Sequence, residues 1–384
     1  MPAQRIASID KLRGLVMIIM ALDHVRDFFH VTAQTADPLD LATTTPALFF
    51  TRWITHFCAP VFVFLSGTSA FLSAKNKPST TASMFLVKRG AWLAVADILL
   101  VTLMLTFNPG YNFIMLTVFW AIGISMIVLG LLTRFAARLI LPLGLILFFG
   151  HDLITPIPFS NNAGGALMKV MFQGLFIVPL NANHIVAFLY PVLPWTAVML
   201  LGYSFGKIVS DQRKVFVCAV GFVILFLIFR SINLYGDSLP WSGQDTAFKT
   251  FLSFINTSKY PPSLQFLCMT LGPALLMLYF FQLSERGVNS RNLLIVYGRT
   301  PFFYFVLHLF LAHLLLVAFF FASGHSAAEI ADPASPMLFR PKNFGFSLPV
   351  VYACWLIVVA ALYFPCRWYY RYKREHRYWW LSYL

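Results

Sequence analysis

The sequence predicts an all-α protein, a polytopic bundle of about ten transmembrane helices with both termini on the cytoplasmic side. Three observations carry this reading. Hydrophobic residues make up 59% of the 384 positions and charged residues only 11%, where a soluble domain has roughly 45–50% and about 25%. Ten apolar stretches are each long enough to cross a bilayer, and the cations between them alternate in density. So few charges cannot cover a water-exposed surface of this length, and lipid is the solvent that remains. Aromatic residues at 17%, with 41 Phe, fit lipid-facing and interfacial rings.

A helix needs about 20 residues to cross a hydrocarbon core of roughly 30 Å. Stretches that meet this run over residues 10–30, 51–73, 86–107, 112–133, 135–151, 184–206, 214–233, 262–283, 297–322 and 346–367, within one domain spanning 1–384. The segment 164–180 is apolar but is interrupted by Gly164, Gly165, Lys169 and Gln173. It reads as an interfacial or re-entrant helix, with an eleventh span as the alternative.

Cation placement tests the count. With the N-terminus inside, the inner segments hold 20 of the 28 Lys and Arg, from Arg5, Lys11 and Arg13 through Arg286 to the terminal Arg367, Arg371, Lys373, Arg374 and Arg377. The outer segments hold the other eight: Arg26, Arg52, Lys169, Arg230, Lys249, Lys259, Arg340 and Lys342. An odd number of spans would scramble that asymmetry. The net charge of +14 is therefore a topology signal rather than a nucleic-acid footprint. The terminal run RWYYRYKREHRYWW reads as an aromatic and basic anchor at the inner surface.

Cys58, Cys218, Cys268, Cys354 and Cys366 show no paired spacing, so neither a disulfide framework nor a zinc site is expected. The first apolar run continues into Asp23 and His24 without a small-residue cleavage pattern, so no cleavable signal peptide is expected. No fixed-period repeat or inverted halves are visible. The long loops, 31–50, 152–183, 234–261 and 323–345, fall outside, as handling of a substrate on that side would require.

Ionisable groups inside spans cost roughly 2.5–3.5 kcal/mol each at mid-helix, so they mark where chemistry sits. The first span, SIDKLRGLVMIIMALDHVRDFFH, is the richest. At 100° per residue, Arg13 and His24 are only about 20° from alignment, and Asp10 lies within about 60° of both. One stripe thus carries Asp10 and Arg13 near the inner surface and His24 about 16 Å higher. Asp27 stands one turn above His24, and Asp23 is placed to pair with Arg26. Two readings stay open. In one, Asp10–Arg13 is an ion pair and His24 a hydrated interfacial residue. In the other, His24 is a general base, since histidine's ordinary pKa near 6.5 suits proton transfer, with Asp23 or Asp27 orienting it.

In the second span, RWITHFCAPVFVFLSGTSAFL, His56 follows Arg52 by one turn as either an interfacial hydrogen-bonder or a site residue. Pro60 is placed to kink the helix and free a carbonyl, and Gly67, Ser69 and Ala70 form a small-residue face. In GRTPFFYFVLHLFLAHLLL, Tyr304 and His308 are i, i+4 neighbours placed to hydrogen-bond. His308 and His313 diverge by about 140°, which disfavours a two-histidine metal face, and no metal is expected. Asp97, inside the third span, must find a partner across the bundle or be protonated. His151-Asp152 and His184 sit at outer helix ends.

The runs SIDKLRG…LDHVRDFF, RWITHFCAPVFVFLSGTSAFL, YPVLPWTAVMLLGYSFG, YPPSLQFLCMTLGP and GRTPFFYFVLHLFLAH resemble the bacterial members of the heparan-alpha-glucosaminide N-acetyltransferase-like family, nearly along the whole chain. The wider group of membrane sugar acyltransferases has a similar arginine and histidine eleven residues apart, as Arg13 and His24 stand here. The resemblance implies transfer of an acetyl group from cytosolic acetyl-CoA, without a metal, to an amine or hydroxyl of a sugar or glycan on the outer side. It implies Arg13, Lys88, Arg89 and Arg299 as inner-face partners of the CoA phosphates, with Asp10, Tyr304 and His308 on the donor side. His24 and His56, with Asp23 and Asp27, fall to the catalytic side. Lysosomal relatives place a catalytic histidine in the first luminal loop, where this sequence has only His30 before His56. The expected setting is the plasma or bacterial inner membrane among lipids, and a homo-oligomer is compatible with it. A reading from a different class is a proton-coupled transporter of a small or lipid-linked molecule, with buried His and Asp as relay. A non-catalytic scaffold would have no need of ionisable groups within its spans.

Overall fold

A computed structural model describes residues 6–284, 291–376 and 378–382. Arg5, Arg286 and Arg377 of the charge count lie outside these. In chain order the helices are α1 (Ala7–Phe29), α2 (Pro46–Thr55), α3 (Cys58–Ala74), α4 (Ser79–Ala96), α5 (Thr102–Thr106), α6 (Val118–Phe135), α7 (Ile140–Ile154) and α8 (Ala163–Phe172). They continue as α9 (Val192–Phe205), α10 (Gln212–Ile232), α11 (Ala247–Ile255), α12 (Leu264–Leu283), α13 (Leu293–Arg299), α14 (Pro301–Ala322) and α15 (Leu348–Glu375). Helix therefore occupies each of the ten expected regions. Seven stretches among the described residues are long and apolar enough to cross a membrane: Pro46–Ala74, Val118–Phe135, Ala137–Ile154, Gln212–Ile232, Leu264–Leu283, Pro301–Ala322 and Leu348–Glu375. Of the remaining expected spans, α1 carries seven ionisable residues from Asp10 to Asp27, and α9 has only 14 residues.

Several boundaries differ from the expectation, each for a local reason. The second helix starts at Pro46, with Thr45 accepting the Leu48 amide, and breaks after Thr55. Pro60 has no N–H to give the carbonyl four residues back, that of His56, so the break falls there. The region 86–107 starts earlier, at Ser79, and passes through a π-helical turn, Asp97–Val101, before α5. Two apolar runs taken as helix are strands. Residues 113–116 form β1 (Phe113–Leu116), and the start of 184–206 forms β3 (Ile185–Phe188). The segment 164–180 is helical only as α8 and then becomes β2 (Phe176–Pro179). Short continuous apolar runs do not distinguish strand from helix, and here the β-branched content and Pro191 decide. The sheet order is β1-β3-β2, with β2 and β3 antiparallel and Phe176 opposite Phe188.

The described chain forms two compact units. One comprises residues 6–8, 59–98 and 114–284, and the other residues 9–58, 99–113 and 291–382. In the first unit, the small-residue face of α3 packs on α9. A Cβ on Gly202 would fall on the Phe64 carbonyl, and Thr68 donates to the Gly202 carbonyl at 3.0 Å. The loop 234–261 is anchored rather than loose. Fully buried Arg230 donates to the carbonyls of Phe254 (2.7 Å), Ser253 (2.9 Å) and Asn256 (2.6 Å) and to Gln265 Oε1 (2.9 Å). Such bonds satisfy a buried guanidinium that would otherwise be very costly.

Asp97, fully buried in α4's π-helical extension, finds its partners at the start of α6. Its carboxylate accepts from Thr117 N (2.6 Å), Thr117 Oγ1 (2.6 Å) and Trp120 N (3.2 Å). It therefore caps α6 from another helix, where unpaired N–H groups and the helix dipole favour a negative charge. Asp97→Asn removes the negative charge from the start of α6 and replaces one of the two acceptor oxygens with an amide donor. We expect it to lower stability by about 1–3 kcal/mol, read as a lower midpoint in thermal unfolding of the detergent-solubilised protein. An unchanged midpoint would remove the capping role.

Candidate functional site

The residues singled out on α1 belong to the second unit, where α1, α13, α14 and α15 meet. The sequence GRTP, read as the start of one long helix, is a helix break. Thr300 leaves helical geometry at φ −127°, ψ 42°, and Pro301 starts α14 at its first turn, where its missing N–H costs nothing. The short α13 runs antiparallel to α1, since Gly298 abuts Asp10 and Gly14 abuts Leu294. A Cβ on Gly298 would land on the Asp10 carbonyl oxygen, and one on Gly14 on the Leu294 carbonyl oxygen. Only glycine permits this approach. From Thr300 the chain reverses, and α14 runs parallel to α1: His308 lies beside His24 and His313 beside Phe28. The third wall is α15, whose Trp355 donates from Nε1 to the Ile18 carbonyl at 2.9 Å and whose Val359 carbonyl accepts from the Tyr297 hydroxyl.

At the Asp10 end, one carboxylate serves two guanidiniums. Arg299 Nε donates to Asp10 Oδ2 at 2.8 Å, and Arg13 Nη1 reaches Asp10 Oδ1 at 3.4 Å and the Gly298 carbonyl at 3.0 Å. The Asp10, Arg299 and Arg13 side chains are 3%, 10% and 14% exposed. The expected Asp10–Arg13 pair is present, and Arg299 joins it from 289 residues away.

At the other end, Arg52 Nη1 donates to both carboxylate oxygens of Asp23 (2.7 and 2.6 Å), which also receives Arg26 Nη2 (3.1 Å). Arg26 donates in addition to half-exposed Asp27 at 2.7 Å. The loop 323–347 closes on the end of α1 through Arg340. This residue donates to the His30 carbonyl (2.7 Å) and to those of Pro341 and Phe344, and burial lowers its guanidinium to about 10.

Between the two clusters, His24 meets His308: the rings stack at 4.9 Å with 17° between planes, and His24 Nδ1 lies 2.6 Å from His308 Nε2. Their tautomers follow from hydrogen-bond accounting. His308 Nδ1 lies 3.1 Å from the Tyr304 carbonyl, which can only accept, so Nδ1 carries the hydrogen. In a neutral ring its Nε2 must then accept, so His24 Nδ1 is the donor. His24 Nε2 is left with a lone pair. His308 is fully buried, whereas His24 is partly accessible.

The i, i+4 pair Tyr304 and His308 does not bond side chain to side chain. The rings stack (5.5 Å, 21°), and among the described residues the buried Tyr304 hydroxyl has no hydrogen-bond partner. His313 turns to the carbonyls of Leu338 (3.0 Å) and Met104 (3.3 Å). His56 is fully buried at the α2–α3 break. Lys88, exposed, and Arg89, partly buried, lie on α4 of the other unit. Sequence reasoning missed the His24–His308 contact, the Asp23–Arg52 pair and Tyr370, which accepts from Arg299. These join segments far apart in the chain, and no local spacing signals them.

Helices long and apolar enough to cross a bilayer, with polar clusters at both ends of a first helix and a histidine pair between, define the class as a polytopic membrane protein. The chain belongs to the heparan-alpha-glucosaminide N-acetyltransferase family, whose catalytic-domain model matches residues 5–237. The match covers α1 to α10, and the block that holds Arg299, Tyr304 and His308 lies beyond it. No curated protein matches the chain.

Proposed function

We propose that this protein is a multi-pass acetyltransferase of the plasma or bacterial inner membrane. It would move the acetyl group of cytosolic acetyl-CoA to an amine or hydroxyl of a sugar on the outer side, through a bundle of about ten spans with both termini inside. The observation that carries this is the His24–His308 contact, in which the hydrogen bond from His24 Nδ1 to His308 Nε2 leaves the lone pair of His24 on Nε2. A base oriented by a second group is the arrangement that acyl transfer needs.

In the proposed step His24 Nε2 takes the proton of the acceptor's neutral amine or hydroxyl as that atom's lone pair attacks the thioester carbonyl carbon. The C–S bond breaks with its electron pair on sulfur. The imidazolium then returns the proton to the thiolate, so an amide or ester and free CoA thiol leave. His308 Nε2 accepts from Nδ1 throughout and stabilises the charged ring. Asp23 and Asp27, holding Arg52 and Arg26, keep the surroundings of His24 in place, and His56 is assigned to the acceptor side. Arg13 and Arg299 are assigned to the CoA phosphates. The rise from Arg13 to His24, about 16 Å, is of the order a pantetheine arm spans.

The test is incubation of purified protein in liposomes with acetyl-labelled CoA and a panel of amino sugars and neutral sugars. Label should appear in one acceptor class and free thiol should be released in equal amount. Uptake of sugar with no thiol release would overturn the proposal.

A further inference from the structure

The exposed side of α15 is one stripe that changes character along its length. Positions 357, 361, 364, 368, 371 and 375, spaced three and four apart, are all exposed, so they line one helix face. The stripe carries Ile357, Phe364 (72% exposed) and Trp368 (61% exposed), and then turns charged at Arg371. An aromatic ring between an apolar stretch and a cation is the pattern of a hydrocarbon–headgroup boundary. At that step Arg367, Arg371 and Arg374 stand at i, i+4 and i+7, three guanidiniums on one side of the helix. From Arg367 to Glu375 the chain holds four cations and one acid. Arg367 lies over the Tyr363 ring at 6.0 Å and Arg374 over the Tyr370 ring at 5.7 Å.

Beside the arginines runs a column of five stacked rings. Trp368 stacks on Tyr372 (5.6 Å, 23°) and Tyr372 on His376 (4.2 Å, 24°). His376 stacks on Tyr378 (5.5 Å, 22°), and Tyr378 on Trp380 (6.0 Å, 5°). The column outlasts the helix, which ends at Glu375, and buried Leu381 ties the terminal turn down. Rings with an apolar body and a polar edge settle where hydrocarbon meets headgroups. The expected topology puts this end of α15 at the inner surface, where anionic headgroups attract clustered cations.

We infer that Arg367, Arg371 and Arg374 form a site for the headgroup phosphate of an anionic phospholipid, whose acyl chains lie along Trp368 and Phe364. Guanidinium forks pair with phosphate bidentately. The adjoining apolar stripe gives the occupant's chains a surface that a free phosphate would leave uncovered.

The experiment titrates full-length protein in neutral detergent with phosphatidylglycerol, and with phosphatidylcholine as the zwitterionic match, counting bound lipid by native mass spectrometry. Wild type should take up phosphatidylglycerol in preference. Arg371→Gln combined with Arg374→Gln should weaken that binding by about 10- to 100-fold, the loss of two headgroup cations. Phosphatidylcholine binding and the thermal midpoint should stay as in wild type. Arg213→Gln combined with Lys214→Gln removes as many cations from the exposed start of α10 and should keep wild-type binding. Equal loss in the two double variants, or no preference for phosphatidylglycerol in wild type, overturns the inference. Displacement of the lipid by equimolar glycerol phosphate, or by a short RNA, also overturns it, because the acyl chains would then contribute nothing.

Discussion

Alanine at position 24 is expected to reduce turnover by about 10²- to 10⁴-fold, the usual contribution of a positioned general base, while donor affinity stays near wild type. The separation follows from the placement of the groups along α1. His24 is fourteen residues from Asp10, so its loss removes proton transfer without disturbing the Asp10–Arg13–Arg299 cluster. His308→Phe keeps a flat ring against His24 but removes the Nε2 acceptor. It should lower kcat by about 10- to 100-fold, the worth of one hydrogen bond to a charged ring. Because His308 acts only through His24, its loss should leave the acceptor KM unchanged and shift the acidic limb of the pH–rate profile. A purely structural histidine would change expression or thermal stability and leave that limb alone. Full activity in His24→Ala would remove the base from the mechanism.

The second large effect is expected at the α1–α13 crossing. In Gly298→Ala the new methyl would fall on the Asp10 carbonyl oxygen, and in Gly14→Ala on that of Leu294. Neither obstacle is a side chain that can swing aside, so α13 must move off α1 or the pair must unfold. Overpacking of this kind costs typically about 1–3 kcal/mol and more where the backbone is the obstacle. Movement of α13 would also take Arg299 from Asp10, so each variant should lose donor affinity together with stability. Gly150→Ala is the control: its methyl meets nothing within 4 Å on α7, and replacing a mid-helix glycine there should be neutral or stabilising by up to about 1 kcal/mol. Thermal unfolding in detergent and donor titration check both. A Gly298→Ala protein with a wild-type midpoint and wild-type affinity would refute the crossing.

The helical regions were legible because lipid imposes length and apolarity on every span, and that constraint is written locally. The α1 stripe was legible for the same kind of reason, since 3.6-residue periodicity places Asp10, Arg13 and His24 without tertiary information. Two helix breaks were also encoded locally, by Pro60 acting on the His56 carbonyl and by Pro301 at the first turn of α14. The second was read through because the apolar run continued across it. The strands at 113–116 and 185–188 were missed, because short apolar runs fit either structure until pairing decides. Asp97 was recognised as needing a partner, but which helix end would supply three donors was beyond sequence spacing. The partner of His24 was the least legible feature. His308 stands 284 residues away, and only the reversal at Thr300 brings it alongside α1.

The most direct test of the central claim is the protonation of the two ring nitrogens of His24. Solid-state ¹⁵N NMR of histidine-labelled protein in lipid at neutral pH, with His24→Ala to assign the signals, reads each nitrogen separately. The account predicts a protonated Nδ1 on both His24 and His308 and an unprotonated Nε2 on His24, shifting when an acceptor sugar binds. A His24 with its hydrogen on Nε2 and a bare Nδ1 would contradict it, because the nitrogen left to take a proton would then be the one turned toward His308.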